Sequence, residues 1–138
     1  MRILQVIPSL APESGGPARA VRELSRELAR QGHDVHVFTT TDKKNGAKNH
    51  LSQEQGVTIH AFERQMPQSY RFSSSLRKAL KEQIACFDLV HLHTLWLYPT
   101  WIAGVWARRK RIPYLVRPCG MLDPYCLAQK RFKKALYA

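Results

Sequence analysis

Two histidines near the middle of the chain are the first residues whose spacing suggests chemistry. His91 and His93 lie two residues apart in the segment FDLVHLH, which predicts a β-strand over residues 87–93. Side chains alternate along a strand, so both imidazoles face the same side. An imidazole at a strand end can hydrogen-bond a substrate hydroxyl or transfer a proton. We therefore predict His93 as a catalytic residue, with a structural role as the alternative, and assign His91 a structural role.

A pair of glycines precedes the first predicted helix. Gly15 and Gly16 allow a ligand to approach the backbone, and the free amides at a helix N-terminus attract a phosphate or a sugar hydroxyl. The pattern is neither GxGxxG nor a P-loop, since no Lys-Ser/Thr pair follows it. We predict a substrate-binding turn here. The alternative is that the glycines serve only a tight connection between strand and helix.

Arg117 ends an otherwise apolar predicted strand. A buried guanidinium needs an anionic or carbonyl partner. That partner could be a substrate, or Asp123 in the loop that follows. We predict Arg117 as a substrate-binding residue, and the alternative is that it only ties down the loop.

The cysteines indicate neither a disulfide framework nor a metal site. The chain has 3 cysteines, with no CxxC spacing. A zinc site built from His91, His93, Cys119 and Cys126 would lack any recognised ligand spacing, so we predict no metal.

The N-terminus has too short an apolar core for a signal peptide. We expect a cytoplasmic protein.

Alternating strands and helices must position these residues. The predicted strands cover residues 2–7, 34–40, 57–62, 87–93 and 112–117, the predicted helices cover 17–31, 73–85, 100–109 and 125–137, and residues 42–55 form an exposed loop. This alternation predicts a Rossmann-like α/β fold, a parallel sheet with helices on both faces. In the strand order 3-2-1-4-5, the loop at residues 8–16 meets the loop after His93, and residues 117–123 border the same crevice.

Length and composition limit the remaining choices. A chain of 138 residues that is 44% hydrophobic and 23% charged is typical of one globular domain. The longest apolar run, residues 95–107, is shorter than the about 20 residues that a membrane span needs.

Positive charge is concentrated in the second half of the chain. Residues 1–69 hold 9 basic and 7 acidic side chains, whereas residues 70–138 hold 13 and 3. The basic blocks at residues 108–111 and 130–134 are solvated helix faces or an attachment site for an anionic membrane surface. We expect no nucleic acid partner, because no helix-turn-helix, zinc finger or RNA-binding aromatic signature is present.

Three segments together resemble the N-terminal half of a retaining glycosyltransferase of family 4, the GT-B type with two facing Rossmann-like domains. They are MRILQVIP with the glycine pair and GHDVHVFTT, then FDLVHLH, then PYLVRPCGMLDP. The resemblance covers the whole chain in the right order. It implies that residues 1–138 are the acceptor-side domain.

The resemblance implies transfer of a sugar from a nucleotide-sugar, as co-substrate, to a glycan, lipid or small-molecule acceptor, with retention and without a cofactor. Gly15 and Gly16 would approach the donor phosphates, and His93 would contact the transferred sugar or the acceptor. Gly120 would line the acceptor side. Family members often have a histidine where this chain has Cys119.

The resemblance also indicates what is missing. The donor-binding domain of the family carries a Glu-x7-Glu element, and no glutamate of this chain is followed by another eight positions later. We therefore expect a fragment, inactive by itself because one wall of the cleft is absent. The alternative function is a non-catalytic Rossmann-like module that binds a phosphorylated ligand or a partner.

Overall fold

The computed structural model describes residues 1–42 and 49–129. The strands are β1 (Arg2–Val6), β2 (Asp34–Thr41), β3 (His50–Glu54), β4 (Val57–Glu63), β5 (Leu89–His93) and β6 (Tyr114–Arg117). The helices are α1 (Gly16–Arg30), α2 (Ser74–Gln83), α3 (Tyr98–Lys110) and α4 (Pro124–Ala128), and short 3-10 turns lie at Pro12–Ser14, Gln68–Tyr70 and Ile84–Cys86.

A single six-stranded sheet in the order β3-β4-β2-β1-β5-β6 organises the described residues. The pairs β4–β2, β2–β1, β1–β5 and β5–β6 are parallel, and β3 pairs with β4 antiparallel. The five predicted strands therefore lie in the predicted order. The α/β, Rossmann-like fold class is confirmed.

The strand β3 corrects the prediction that residues 42–55 form only a loop. His50 to Glu54 pair with β4, and the connecting residues Gln55 and Gly56 both have positive φ, 49° and 81°. Two successive residues of positive φ are what a tight hairpin with matching twist requires. Residues 43–48 of the predicted loop lie outside the described residues.

Helices cover the sheet on both faces, as predicted. On one face, Ala18 and Val21 of α1 pack against Val35 and Val37 of β2. On the other face, α2 and α3 cover a core that includes Leu4, Phe38 and Leu92. Because adjacent residues of one strand point to opposite faces, β2 contributes to both cores.

The ends of the helices follow local chemistry. The buried Ser73 caps α2, its Oγ accepting a hydrogen bond from the Leu76 amide at 3.3 Å. The described part of the helix predicted over 125–137 is α4, which ends at Ala128 because Gln129 has an extended backbone with ψ of 131°. Residues 130–138, with the second basic block, lie outside the described residues.

The strand β6 is more exposed than an apolar strand predicts. All four of its residues are exposed, including Leu115 at 54% and Val116 at 44%.

Within residues 1–42 and 49–129, no helix is long and apolar enough to cross a bilayer.

Candidate functional site

The loops that were expected to form the site leave the sheet at one edge. The strands β1, β5 and β6 run parallel in adjacent positions, so their carboxyl ends point the same way. The amide of Thr94 donates to the carbonyl of Arg117 at 2.9 Å, and the amide of Leu95 lies 3.0 Å from the Met121 Sδ. The connections that follow β5 and β6 are therefore in direct contact.

The glycine pair lies at the N-terminus of α1, where it was predicted. Gly15 has φ of 73° and ψ of −145°, a conformation that residues with a side chain rarely adopt. A Cβ on either glycine would meet no atom within 4 Å. Both glycines are exposed, so a ligand could reach the backbone of this turn.

His93 is buried at the end of its strand. Its exposed fraction is 0%, and Nε2 lies 2.6 Å from Oε1 of Gln5 on the neighbouring strand β1. With the amide oxygen facing the ring, Nε2 is the donor. Nδ1 is buried and has no hydrogen-bond partner in the described part of the chain.

Burial decides the charge of His93. It lowers the pKa of the imidazole to about 3, with smaller contributions from His91 and from the positive charge of Arg117. The ring is therefore neutral at physiological pH. In this position it is closed off from solvent and bonds to Gln5.

Gln5 is the residue that sequence reasoning missed. It is fully buried in the central strand, and its Nε2 atom has no partner among the described residues. A polar side chain inside the apolar segment of residues 3–7 was the available signal, because buried polar groups need partners.

His91 lies beside His93 on the same face of the sheet, as alternation predicts. The ring centroids are 4.0 Å apart, and His91 is half-buried. Burial lowers the pKa of His91, and Arg117 lowers it further. Both imidazoles are thus disfavoured as cations.

Arg117 is exposed, and an exposed guanidinium does not need an anionic or carbonyl partner. Asp123 does not pair with it: the Asp123 Oδ1 accepts from the Tyr125 amide at 2.9 Å and caps α4. Gly120 lies in an exposed turn with φ of 79°, and a Cβ there would meet nothing within 4 Å. Arg117 and Gly120 are therefore accessible to a ligand on the β6 side of this edge.

A cleft of about 420 Å³ opens at the same edge, between the connection that follows β1 and the strands β2, β3 and β4. It is walled by residues 9–14, residues 39–42, Arg64 and Arg71. We call it the arginine cleft. The sequence offered no signal for it, because Arg64 and Arg71 lie outside the regular elements that periodicity reveals.

No three His, Cys, Asp or Glu side chains in residues 1–42 and 49–129 come close enough together to hold a metal ion. His91, His93, Cys119 and Cys126 all belong to that part of the chain. The structure therefore does not assemble them into a zinc site.

Burial of neutral His93 predicts a pH dependence of stability. The unfolded imidazole, with a pKa of about 6.5, takes up a proton as pH falls, whereas the folded one does not until about pH 3. The free energy of unfolding should therefore fall between pH 6.5 and 3, by at most about 1.4 kcal/mol per pH unit for one histidine. His60, whose pKa burial lowers to about 4, acts in the same direction.

Urea unfolding of the wild type and of His93→Gln, at pH 7, 6 and 5, isolates the contribution of His93. The slope should be smaller in the variant. His50→Gln, at an exposed position on β3, is the matched control and should leave the slope unchanged. Equal slopes for His93→Gln and wild type would contradict the burial argument.

Comparison with known proteins agrees with the geometry. Residues 15–138 match the model of the glycosyl transferase 4-like domain. The chain is 31% identical over 118 residues to alpha-monoglucosyldiacylglycerol synthase of Streptococcus pneumoniae (strain ATCC BAA-255 / R6), an alignment that covers 83% of this chain and 26% of that protein. The chain thus spans about a quarter of this relative. It belongs to the glycosyl transferase 4-like domain family.

Proposed function

We propose that this chain is the acceptor-side domain of an enzyme that transfers a hexose from a nucleotide-sugar to an acceptor with retention of configuration. The observation that carries the proposal is the open glycine turn, Gly15–Gly16, at the start of α1. It lies after β1, whose neighbour β5 ends at the same edge of the sheet. Membership of the glycosyltransferase family supports this interpretation.

The glycine turn offers amide donors without side chains in the way. Helix amides of the first turn have no partner inside the helix, and the N-terminus carries a partial positive charge. Pro17 has no N–H, so the amides of Gly16 and Ala18 are the available donors. Oxygens of a diphosphate are acceptors that suit this position.

The transfer breaks the bond between the anomeric carbon and the donor phosphate, and forms a bond from that carbon to an acceptor oxygen. The nucleoside diphosphate leaves with the bonding electron pair, and the acceptor hydroxyl gives up its proton to an oxygen of that departing diphosphate. We propose that amides at the glycine turn stabilise the charge that develops on the leaving group. His93 enters only as a positioning residue, because its ring is buried against Gln5.

A second domain would supply the other wall of the cleft. The chain covers only 26% of the relative that it matches, which leaves room for such a domain in the longer protein. That relative is named for a glucosyl diacylglycerol, which favours a lipid among the glycan, lipid and small-molecule acceptors. Arg117 and Gly120, exposed near the glycine turn's edge of the sheet, are proposed to line the acceptor side.

We predict that Gly16→Ala in the full-length protein lowers kcat/KM for the nucleotide-sugar at least tenfold, about 1.4 kcal/mol. Gly16 has no positive φ, and its Cβ would meet nothing, so the fold should tolerate the change. The added methyl group would instead meet a ligand that lies against the turn.

The control for this variant is its own stability. Gly16→Ala should unfold at the wild-type urea concentration, whereas Gly15→Ala, at φ of 73°, should be destabilised. Wild-type kcat/KM for Gly16→Ala would remove the glycine turn from the donor site.

The isolated 138-residue chain should not catalyse transfer or hydrolysis. With one wall of the cleft it cannot orient donor and acceptor or exclude water. Release of nucleoside diphosphate from a panel of nucleotide-sugars is the measurement, and turnover would contradict the prediction. Tight binding of a nucleotide or sugar phosphate, measured by calorimetry without turnover, would favour the non-catalytic binding module.

We further propose peripheral attachment to an anionic membrane surface through the exposed basic residues of α2 and α3. These two helices pack together on one face of the sheet, and the exposed Trp101, at 45%, lies on the same pair. The basic residues are Arg77, Lys78, Lys81, Arg108, Arg109, Lys110 and Arg111. Each basic residue near such a surface contributes about 1 kcal/mol to binding.

Co-sedimentation with vesicles tests the attachment. The chain should bind vesicles of phosphatidylglycerol and phosphatidylcholine, bind pure phosphatidylcholine weakly, and lose binding in high salt. Replacing Arg108, Arg109 and Lys110 by Gln should weaken binding at least tenfold. The same replacement of Arg19, Arg26 and Arg30 on α1, across the sheet, is the control, and equal losses for the two triple variants would overturn the proposal.

A further inference from the structure

The arginine cleft contains a cation that no described residue satisfies. Arg71 is half-buried, yet its guanidinium forms no hydrogen bond or ion pair with any residue in 1–42 or 49–129. Burial lowers the pKa of Arg71, while the carboxylates of Asp42 and Glu13 oppose that shift. The side chain therefore lies near both carboxylates without pairing with either.

Arg64 forms a fixed part of the same wall. Its Nε donates to the Thr40 hydroxyl at 2.8 Å, and its terminal nitrogen donates to the carbonyls of Thr40 and Pro8 at 3.2 and 3.4 Å. These contacts tie Arg64 to the ends of β1 and β2. Burial lowers the pKa of Arg64, and the charge of Arg71 lowers it further, so the two guanidinium groups are near each other.

Carboxylates balance these cations. Arg22 pairs with Glu54 at 2.5 Å, and Arg64 and Arg71 face Asp42 and Glu13. Three arginines and three carboxylates thus line the cleft. Oδ1 of Asp42 is buried and has no hydrogen-bond partner among the described residues. The cleft is therefore lined by the unpaired donor Arg71 and by carboxylates that include Asp42, and its three arginines and three carboxylates carry no net formal charge.

The balance of positive and negative charges in the cleft favours a neutral ligand over an anionic one. A phosphate or carboxylate would satisfy Arg71 but would meet the like charges of Asp42 and Glu13. A hydroxyl group both donates and accepts, so adjacent hydroxyls can bond a guanidinium and a carboxylate together. The hydroxyl of Thr41 adds a neutral partner along the same wall, whereas the Thr40 hydroxyl is already bonded to Pro8 and Arg64.

We infer that the arginine cleft binds a neutral polyhydroxylated group, a sugar or a polyol headgroup, and not an anionic one. Its volume of about 420 Å³ is in the range of small-molecule sites. The inference rests on the proposed function, in which this domain binds the acceptor. It adds the chemical class of the acceptor group and the residues that recognise it.

Binding to the 138-residue chain tests the inference. The probes are methyl glucoside, methyl galactoside, maltose and inositol, each compared with glucose 6-phosphate and inorganic phosphate by saturation-transfer NMR. At least one neutral probe should bind more tightly than both anions. Tighter binding of either anion, or no binding of any neutral probe at 50-fold molar excess or above, would overturn the inference.

Two variants assign the binding to this cleft. Arg71→Gln should weaken binding of the neutral probe at least fivefold, whereas Arg30→Gln, exposed at the end of α1 and outside the cleft, should not. Glu13→Gln leaves an excess positive charge, so it should raise the affinity for phosphate while the neutral probe binds no more tightly. An unchanged affinity of Arg71→Gln for the neutral probe, or of Glu13→Gln for phosphate, would contradict the inference, and circular dichroism of each variant confirms that it is folded.

Kinetics of the full-length protein separate this inference from the proposed function. Arg71→Gln should raise KM for the acceptor at least fivefold and leave KM for the nucleotide-sugar unchanged. A wild-type protein without any transferase activity would refute the proposed function alone. An active protein in which Arg71→Gln leaves the acceptor KM unchanged would refute the inference alone.

Discussion

The parallel pairing of β1 with both β2 and β5 is the constraint on which the remaining structure depends. Leu4 and Val6 of β1 are completely buried in one core, and Ile7, directly after the strand, is buried in the other. A strand that is buried on both faces cannot shift its register without exposing one of these sets. Since the neighbouring strands run the same way, every connection that follows them emerges at one edge. The glycine turn, the β5 and β6 connections and the arginine cleft all lie there for this reason.

Hydrophobic periodicity predicted the order of most strands and helices, but it could not predict which polar side chains are buried. The spacing of apolar residues indicates the apolar strands and the amphipathic helix α1. The order of the strands in the sheet follows from the rules for parallel crossovers. The strand β3 could not be found in this way, because its side chains are polar and its turn is Gln55-Gly56 rather than the common Asn-Gly. For His93, alternation indicates the face of the sheet, but whether that face is covered depends on residues distant in sequence.

The two basic groups of the candidate site illustrate the same limit. Arg117 drew attention because it interrupts an apolar segment, yet it lies exposed on the outer strand β6. Arg71 follows a 3-10 turn, in a left-handed conformation with φ of 57°, and gave no periodic signal. Its half-buried position arises from tertiary packing. The sequence pattern therefore indicated the exposed Arg117 and gave no indication of the half-buried Arg71.

The outer strand β6 has a practical consequence for handling this chain. Among the described residues it pairs only with β5, so the other side of its backbone presents unbonded N–H and C=O groups next to Leu115 and Val116. Free edges of this kind recruit extended peptide from other molecules. We therefore expect concentrated samples of the chain to associate through β6, and dilution to oppose that association.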